Sequence, residues 1–245
     1  MLNHATFRTM RLHLIIPVLN ELPNLRRLLP YLAGELAGRG TITVADAGST
    51  DGTREVIGGG NWPDGRVRLL ACPERGRAKQ MNAAAALDAA DFDVLYFLHA
   101  DAVPPRGFYD DIRQSVDAGH PVGCYRFRFD SPHPLLAINS FCTRFSGLAC
   151  RGGDQSLYVT RAAWDALGGF DDAMQIMEDY DIIQRAWKRY SFRVMPRAVT
   201  VSARKYRANG WLRVQLANLA VFRMYKRGAP QGEMVRKYRE LLDPW

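Results

Sequence analysis

Four short apolar runs, Leu12 to Leu19, Thr41 to Ala45, Val67 to Ala71 and Val94 to Leu98, alternate with helix-forming stretches along the N-terminal part of the chain. Leu25, Leu28, Leu29, Leu32 and Leu36 recur at helical spacing from Leu22 to Leu36, and Gly38 and Gly40 stop that helix. The turn from Asp46 to Thr53 feeds a short helix, and Arg77 to Ala90 is rich in alanine, the strongest helix former. Strands and helices alternating with short connections predict an α/β fold, a mostly parallel central sheet with helices on both faces. Val94 to Leu98 is apolar at every position, the mark of a strand buried on both sides. Pro104 and Pro105 forbid its extension, so His99-Ala100-Asp101 falls at its C-terminal end, the edge where open α/β sheets bind ligands.

Regularity weakens after Gly119. Gly123 to Phe129 reads as a strand, Leu135 to Ala149 as a helix and Gln155 to Thr160 as a strand. Arg161 to Leu167, Glu178 to Tyr190 and Trp211 to Tyr225 read as further helices. No linker or composition break divides the 245 residues, so one domain is expected over 1–245. Its parts would be a regular α/β half (about 11–118), a less regular half that builds the acceptor side (about 119–206) and a C-terminal helical extension (207–245).

The formal charge of +8 favours anionic partners such as nucleotides, phosphorylated lipids or an acidic membrane surface. The cations are dispersed and no nucleic-acid-binding motif is present, so a nucleic-acid partner is not expected. Cys72, Cys124, Cys142 and Cys150 are far apart, which argues against zinc and for free thiols in a reducing cytoplasm. Met1 to Met10 lacks the apolar segment of a signal peptide, and no run approaches the roughly 18 apolar residues of a membrane span.

Several polar groups exceed what the strand and helix pattern needs. Asp46 and Asp101 close adjacent strand ends on one sheet edge; each could be a turn former, or Asp46 could accept from a base or a ribose. His99 and Asp101, two residues apart, could share one divalent ion. Arg75, Arg77 and Lys79 crowd a helix start, where acids would be favoured by the dipole, an arrangement suited to a diphosphate. Glu178-Asp179 opens a helix, where capping alone would explain them, and Gly152-Gly153-Asp154-Gln155 could be a simple turn.

Taken in order, Ile15 to Glu21, Asp46 to Thr53, Gly76 to Asn82, Phe97 to Pro104, Gly168-Gly169-Phe170-Asp171 and Met177-Glu178-Asp179 resemble the GT-A family 2 glycosyltransferases, from about residue 11 to residue 206. His99-Ala100-Asp101, Gly153-Asp154-Gln155 and Ser202 to Tyr206 further resemble a bacterial subgroup, the "transferase 2" proteins associated with radical-SAM/selenodomain genes and arsenosugar pathways.

The resemblance implies inverting transfer of a sugar from a nucleotide-diphosphate donor, UDP-sugar first and GDP next, to an unidentified acceptor, small molecule or lipid. Pro17, Asn20 and Glu21 match the first nucleotide-contacting loop and Asp46 the base-reading carboxylate. Arg77 and Lys79 match the cations near the diphosphate, and Asp101, with His99 beside it, the site of an Mg²⁺ or Mn²⁺ ion. Asp179 of the Glu178-Asp179 pair matches the catalytic base, Arg204 a later cation that steadies the leaving diphosphate, and Asp154 and Gln155 lie on the acceptor side. His99 stands where the family carries a carboxylate; imidazole is the poorer Mg²⁺ ligand and the better one for softer ions.

A nucleotidyltransferase of the same fold type is the enzymatic alternative, but Pro17 to Glu21 is not its glycine-rich opening. A dehydrogenase is excluded because no GxGxxG follows the first strand. A non-catalytic module lying on the inner face of a membrane is the other alternative. There, the helix carrying Trp211, Leu212, Leu216, Leu219 and Phe222 would contact lipid rather than, as is commoner, the core.

Overall fold

A computed structural model describes residues 9–60, 62 and 66–244. Met1 to Arg8, most of the segment read for a leader, lies outside the described residues. The first half follows the alternation of the sequence. It comprises β1 (Leu12–Val18), α1 (Leu22–Leu36), β2 (Gly40–Asp46), α2 (Thr53–Gly58), β3 (Val67–Ala71), α3 (Arg77–Ala86) and β4 (Val94–Phe97). There follow β5 (Ala102–Val103), α4 (Phe108–Asp117), β6 (Val122–Phe129), α5 (Pro134–Cys142), β7 (Leu157–Thr160) and α6 (Arg161–Leu167). The chain ends in α7 (Glu178–Trp187), β8 (Phe192–Val201), α8 (Arg204–Asn209), α9 (Trp211–Lys226) and α10 (Gln231–Leu241).

All eight strands form one sheet in the order β3-β2-β1-β4-β7-β6-β8-β5. The pairs among β1 to β4 are parallel, β7 runs antiparallel to both β4 and β6, β8 runs parallel to β6, and β5 antiparallel to β8. Side chains alternate across β1 and β4, and the core divides accordingly. Leu12, Leu14, Ile16 and Val18, with Val94, Tyr96 and Leu98, pack under the leucines of α1 and Phe108 and Ile112 of α4. Ile15, Leu95 and Phe97 face the other way, onto Ala78 and Met81 of α3, Trp164 of α6 and Ile182 of α7. The expectation of helices on both faces holds.

Four expected elements are shorter in the structure. The helix from Arg77 stops at Ala86, because Leu87 is extended and Asp88 left-handed (φ 45°). The helix expected over Leu135 to Ala149 ends at Cys142, and the one from Glu178 ends at Trp187. β7 starts at Leu157, so Gln155 belongs to a 3-10 turn (Gly153–Gln155) rather than to the strand. The C-terminal helix is not simply core: α9 buries Val214, Ala217 and Val221 but leaves Leu212, Leu216 and Leu219 exposed.

Candidate active site

The ends of β1 and β2 are zipped together before any ligand is considered. Asn20 takes a left-handed backbone (φ 58°); its amide donates to Ser49 Oγ at 2.8 Å and its Oδ1 accepts the Thr50 amide at 2.8 Å. From α3, the buried Gln80 donates through Nε2 to Val18 O (2.9 Å) and Ala45 O (2.7 Å), tying the helix to both strand ends. Pro17 is buried within β1 opposite Ala45. Sequence reasoning passed over Gln80, whose only signal is an amide amid alanines on a helix that packs on strands.

Asp46 is fully buried and occupied within its own turn. Its carboxylate accepts the Gly48 amide at 3.2 Å, the Ser49 amide at 3.1 Å and Arg54 Nε at 2.5 Å. Burial would raise its pKa, but the hydrogen bonds from Ser49, Arg54 and the Gly48 amide outweigh it and hold the carboxyl below its ordinary range. Both of its oxygens thus accept from groups of its own turn. Asp46 and Asp101 are not on adjacent strands as expected: β1 lies between β2 and β4, so the two flank the Asn20-Glu21 loop.

Beyond β4, side chains from distant segments converge. Arg204, at the start of α8, grips Glu21 through two bonds (2.6 Å from Nη2 and 3.2 Å from Nη1) and places Nε 3.3 Å from Asp101 Oδ2. His99 Nδ1 lies 4.0 Å from Asp154 Oδ1. Arg77 Nε meets the fully buried Glu178 at 2.8 Å. Lys79, expected beside Arg77, instead pairs with Glu74 and is 41% exposed. Position explains the division, since residues two apart on a helix face different ways.

Charge and burial set the protonation states here. Burial, with Arg77 nearby, lowers the His99 pKa and keeps the ring neutral. Burial raises Asp101 against the opposing pull of His99 and Arg204. Asp179 is pushed up to about 7, first by burial, then by the Glu178 and Asp154 carboxylates, with Arg77 resisting. A carboxyl poised there can take a proton near neutral pH.

Backbone strain gathers at the same place. Among the described residues, five non-glycine positions have positive φ; Ala37 and Asp88 close helices, while Asn20, Ser156 and Met177 border this cluster. Met177 (φ 67°) turns the chain directly into Glu178-Asp179, and Ser156 follows Gln155. Gln155 is buried with neither its amide nitrogen nor its oxygen hydrogen-bonded. The Gly168-Gly169 turn is clamped by Asn82, which donates to Phe170 O (2.8 Å) and accepts the Phe170 amide (3.0 Å). At Gly169 (φ 72°), a Cβ would lie 2.9 Å from Asn82 Oδ1, so only glycine suits.

The donor set suits a divalent ion shared with a ligand. Among the described residues, no three His, Cys, Asp or Glu side chains are grouped to enclose a metal. Asp101 would offer a carboxylate and His99 an imidazole to such an ion, too few to enclose it without further ligands from outside the protein. Asp101 is only 22% exposed and already faces Arg204, so protein, ion and phosphate would balance charge together.

Comparison with known proteins agrees with this architecture. Residues 13–153 match the family model "Glycosyl transferase family 2". The chain is 34% identical over 193 residues to the succinoglycan biosynthesis protein ExoA of Rhizobium meliloti (strain 1021), covering 71% of this chain and 57% of that protein. The chain thus spans little more than half the length of this curated relative. Among solved structures, a mannosyltransferase from Pyrobaculum calidifontis in complex with GDP-Man and Mn²⁺ is similar, with TM-score 0.67, 21% identity, and 96% of this chain and 70% of that one covered. S. aureus TarS 1-349 in complex with UDP-GlcNAc is also similar, with TM-score 0.62, 17% identity, and 80% and 59% covered. These likenesses share the GT-A fold, and with the family match over more than half of its length the chain belongs to glycosyl transferase family 2.

Proposed function

We propose that the protein is an inverting glycosyltransferase that moves a sugar from a nucleotide-diphosphate donor, UDP-sugar first, to an acceptor hydroxyl, with Asp179 as general base. The observation that carries this reading is the Asp179 carboxyl, raised to about 7 and held with Asp154, Arg77 and Glu178 in one charge cluster that reaches His99 and Asp101. No nucleophile of the protein is needed. As the acceptor oxygen forms its bond to the anomeric carbon, the bond to the diphosphate oxygen breaks on the opposite face, and the hydroxyl proton passes to Asp179.

The other residues take roles that follow from their chemistry. The turns held by Asn20 and Asp46 shape the loop against which the nucleoside lies, with Pro17 and Glu21 bounding it. Arg204 and Arg77 offset the charge that gathers on the leaving nucleoside diphosphate. A divalent ion, held by Asp101 and His99 when bound, supplies further neutralisation of that charge. Asp154 and Gln155 face the acceptor, a small molecule or a lipid. Four free cysteines support a reducing, cytoplasmic setting.

The test is a thermal-shift series with UDP, GDP, dTDP and CDP, each with Mg²⁺ or Mn²⁺, followed by anomeric analysis of the product by NMR. Binding to the native state raises the melting temperature. UDP with a divalent ion should give the largest shift, and the product should carry the inverted anomer. No shift with any nucleotide, or retention of configuration, overturns the proposal.

A further inference from the structure

α5 and α9 share an unusual feature: each turns a row of large apolar side chains to solvent. α5 buries only Leu136, while Leu135, Ile138, Phe141 and, just beyond the helix, Phe145 are 37%, 55%, 49% and 52% exposed. Leu212, Leu216 and Leu219, on one face of α9, are 63%, 55% and 44% exposed. The helices adjoin where Trp211 Nε1 donates to Asn139 Oδ1 at 3.3 Å. Exposed apolar area of this kind marks a surface that binds something.

Charge indicates what it binds. A groove of about 390 Å³ beside α5 is lined by Arg126, Arg128 and Arg144 together with Phe127, Phe129 and Phe141. The Arg144 guanidinium lies 3.7 Å from the centre of the Phe141 ring. None of these three arginines is in an ion pair among the described residues, whereas Arg54, Arg161, Arg185, Arg197, Arg204 and Arg207 each hold a carboxylate. Exposed Leu, Ile and Phe beside unpaired arginines are the composition of a surface that lies in a membrane interface, apolar side chains among the acyl chains and guanidinium groups on phosphates. A symmetric second copy would instead set these arginines against their own counterparts.

We infer that the α5–α9 face docks on an anionic phospholipid bilayer, with the groove of Arg126, Arg128 and Arg144 taking headgroup phosphates. The docking is peripheral, since no helix among the described residues is long and apolar enough to cross a membrane. It is independent of the sugar-transfer reaction, but it sits close to the site: Tyr206, next to Arg204 and Lys205, is hydrogen-bonded to Asn139 of α5 at 3.1 Å.

The test is co-sedimentation of the full chain with phosphatidylcholine vesicles and with vesicles containing phosphatidylglycerol, alongside Trp fluorescence of the unaltered protein. The protein should partition about tenfold or more in favour of the anionic vesicles, with a change in Trp emission. The paired substitutions Ile138→Glu with Leu216→Glu, and Arg126→Glu with Arg144→Glu, should each lower that partition about tenfold while the melting temperature stays put. The unaltered protein remaining in the supernatant with anionic vesicles overturns the inference. So does binding unchanged by both pairs of substitutions, or a dimer in solution that Ile138→Glu dissolves while vesicle binding is absent.

Discussion

Arg204 and Glu21, far apart in sequence, form a two-pronged ion pair at 2.6 and 3.2 Å, and the same guanidinium stands 3.3 Å from Asp101. One arginine thus links the loop after β1 to the polar end of β4. Arg204→Ala should weaken nucleoside-diphosphate binding roughly tenfold to a hundredfold, the cost of losing charge-assisted hydrogen bonds. Arg204→Lys should restore little, because an ammonium cannot span both Glu21 oxygens while facing Asp101. Calorimetric titration of the two variants with UDP and a divalent ion measures both effects; equal affinity in all three proteins would refute the role.

Asp179 carries the reaction in the proposed scheme. Asp179→Asn should lower kcat about 10²- to 10⁴-fold and leave nucleotide affinity near that of the unaltered protein. Because the base works as a carboxylate and its pKa lies at about 7, the rate of the unaltered enzyme should fall as pH drops below about 7. Steady-state kinetics from pH 5 to 9 would show this limb, which should vanish in the residual activity of the variant.

The same raised pKa has a consequence for stability. A carboxyl whose folded-state pKa is raised favours folding when protonated, and that contribution disappears as pH rises through about 7. At pH 8 the half-buried charge is a burden, so Asp179→Asn should stabilise the protein by on the order of 1–2 kcal/mol, the usual trade between site and stability. Denaturation midpoints at pH 8 and pH 5 test it: the gain should shrink at the lower pH.

His99 tests the choice of ion. Chelation should abolish transfer, and Mn²⁺ should restore it better than Mg²⁺, because imidazole suits the softer ion. His99→Asp should shift the preference toward Mg²⁺. Activity measured after chelation and readdition of each ion reads the ratio, and a ratio unmoved by the substitution would place His99 outside the ion's ligands.

Much of this site was legible because strands buried on both faces and leucine-striped helices carry strong periodic signals. β1, α1, β3 and α6 begin and end within a residue of where the pattern puts them. β8 was not seen, for a physical reason. Its pairing with β6 slips between Tyr125 and Arg126, from Met195 to Ala198, so Pro196 and Arg197 bulge out of the ladder and break the alternation. α4 went unread because it opens after Gly107 (φ 71°) with no side-chain cap, although Asp110 and Asp111 in its first turn suit a helix start. Asp101, Asp179 and Arg204, which the sequence motifs single out, come together in the fold. The sequence could not tell that Asp46 would be sealed by Arg54, or that Lys79 would turn to Glu74, since both depend on how loops close in three dimensions.

His13 gives a last prediction, away from the site. It is buried in β1, with Nε2 2.7 Å from Thr43 Oγ1 and its ring stacked on Phe92 at 4.4 Å. Burial first, and Arg68 second, push its pKa down to about 4. The folded state therefore holds the ring neutral, while the unfolded chain takes up a proton near its ordinary 6.5. The sign follows: this contribution is fully present above about 6.5 and is lost as pH falls toward 4, on the order of 2–3 kcal/mol in all. His13→Gln should be less stable at pH 7.5, through lost packing, yet its urea midpoint should decline less steeply between pH 6.5 and 4. Parallel pH dependences for the two proteins would show that His13 does not drive the acid transition.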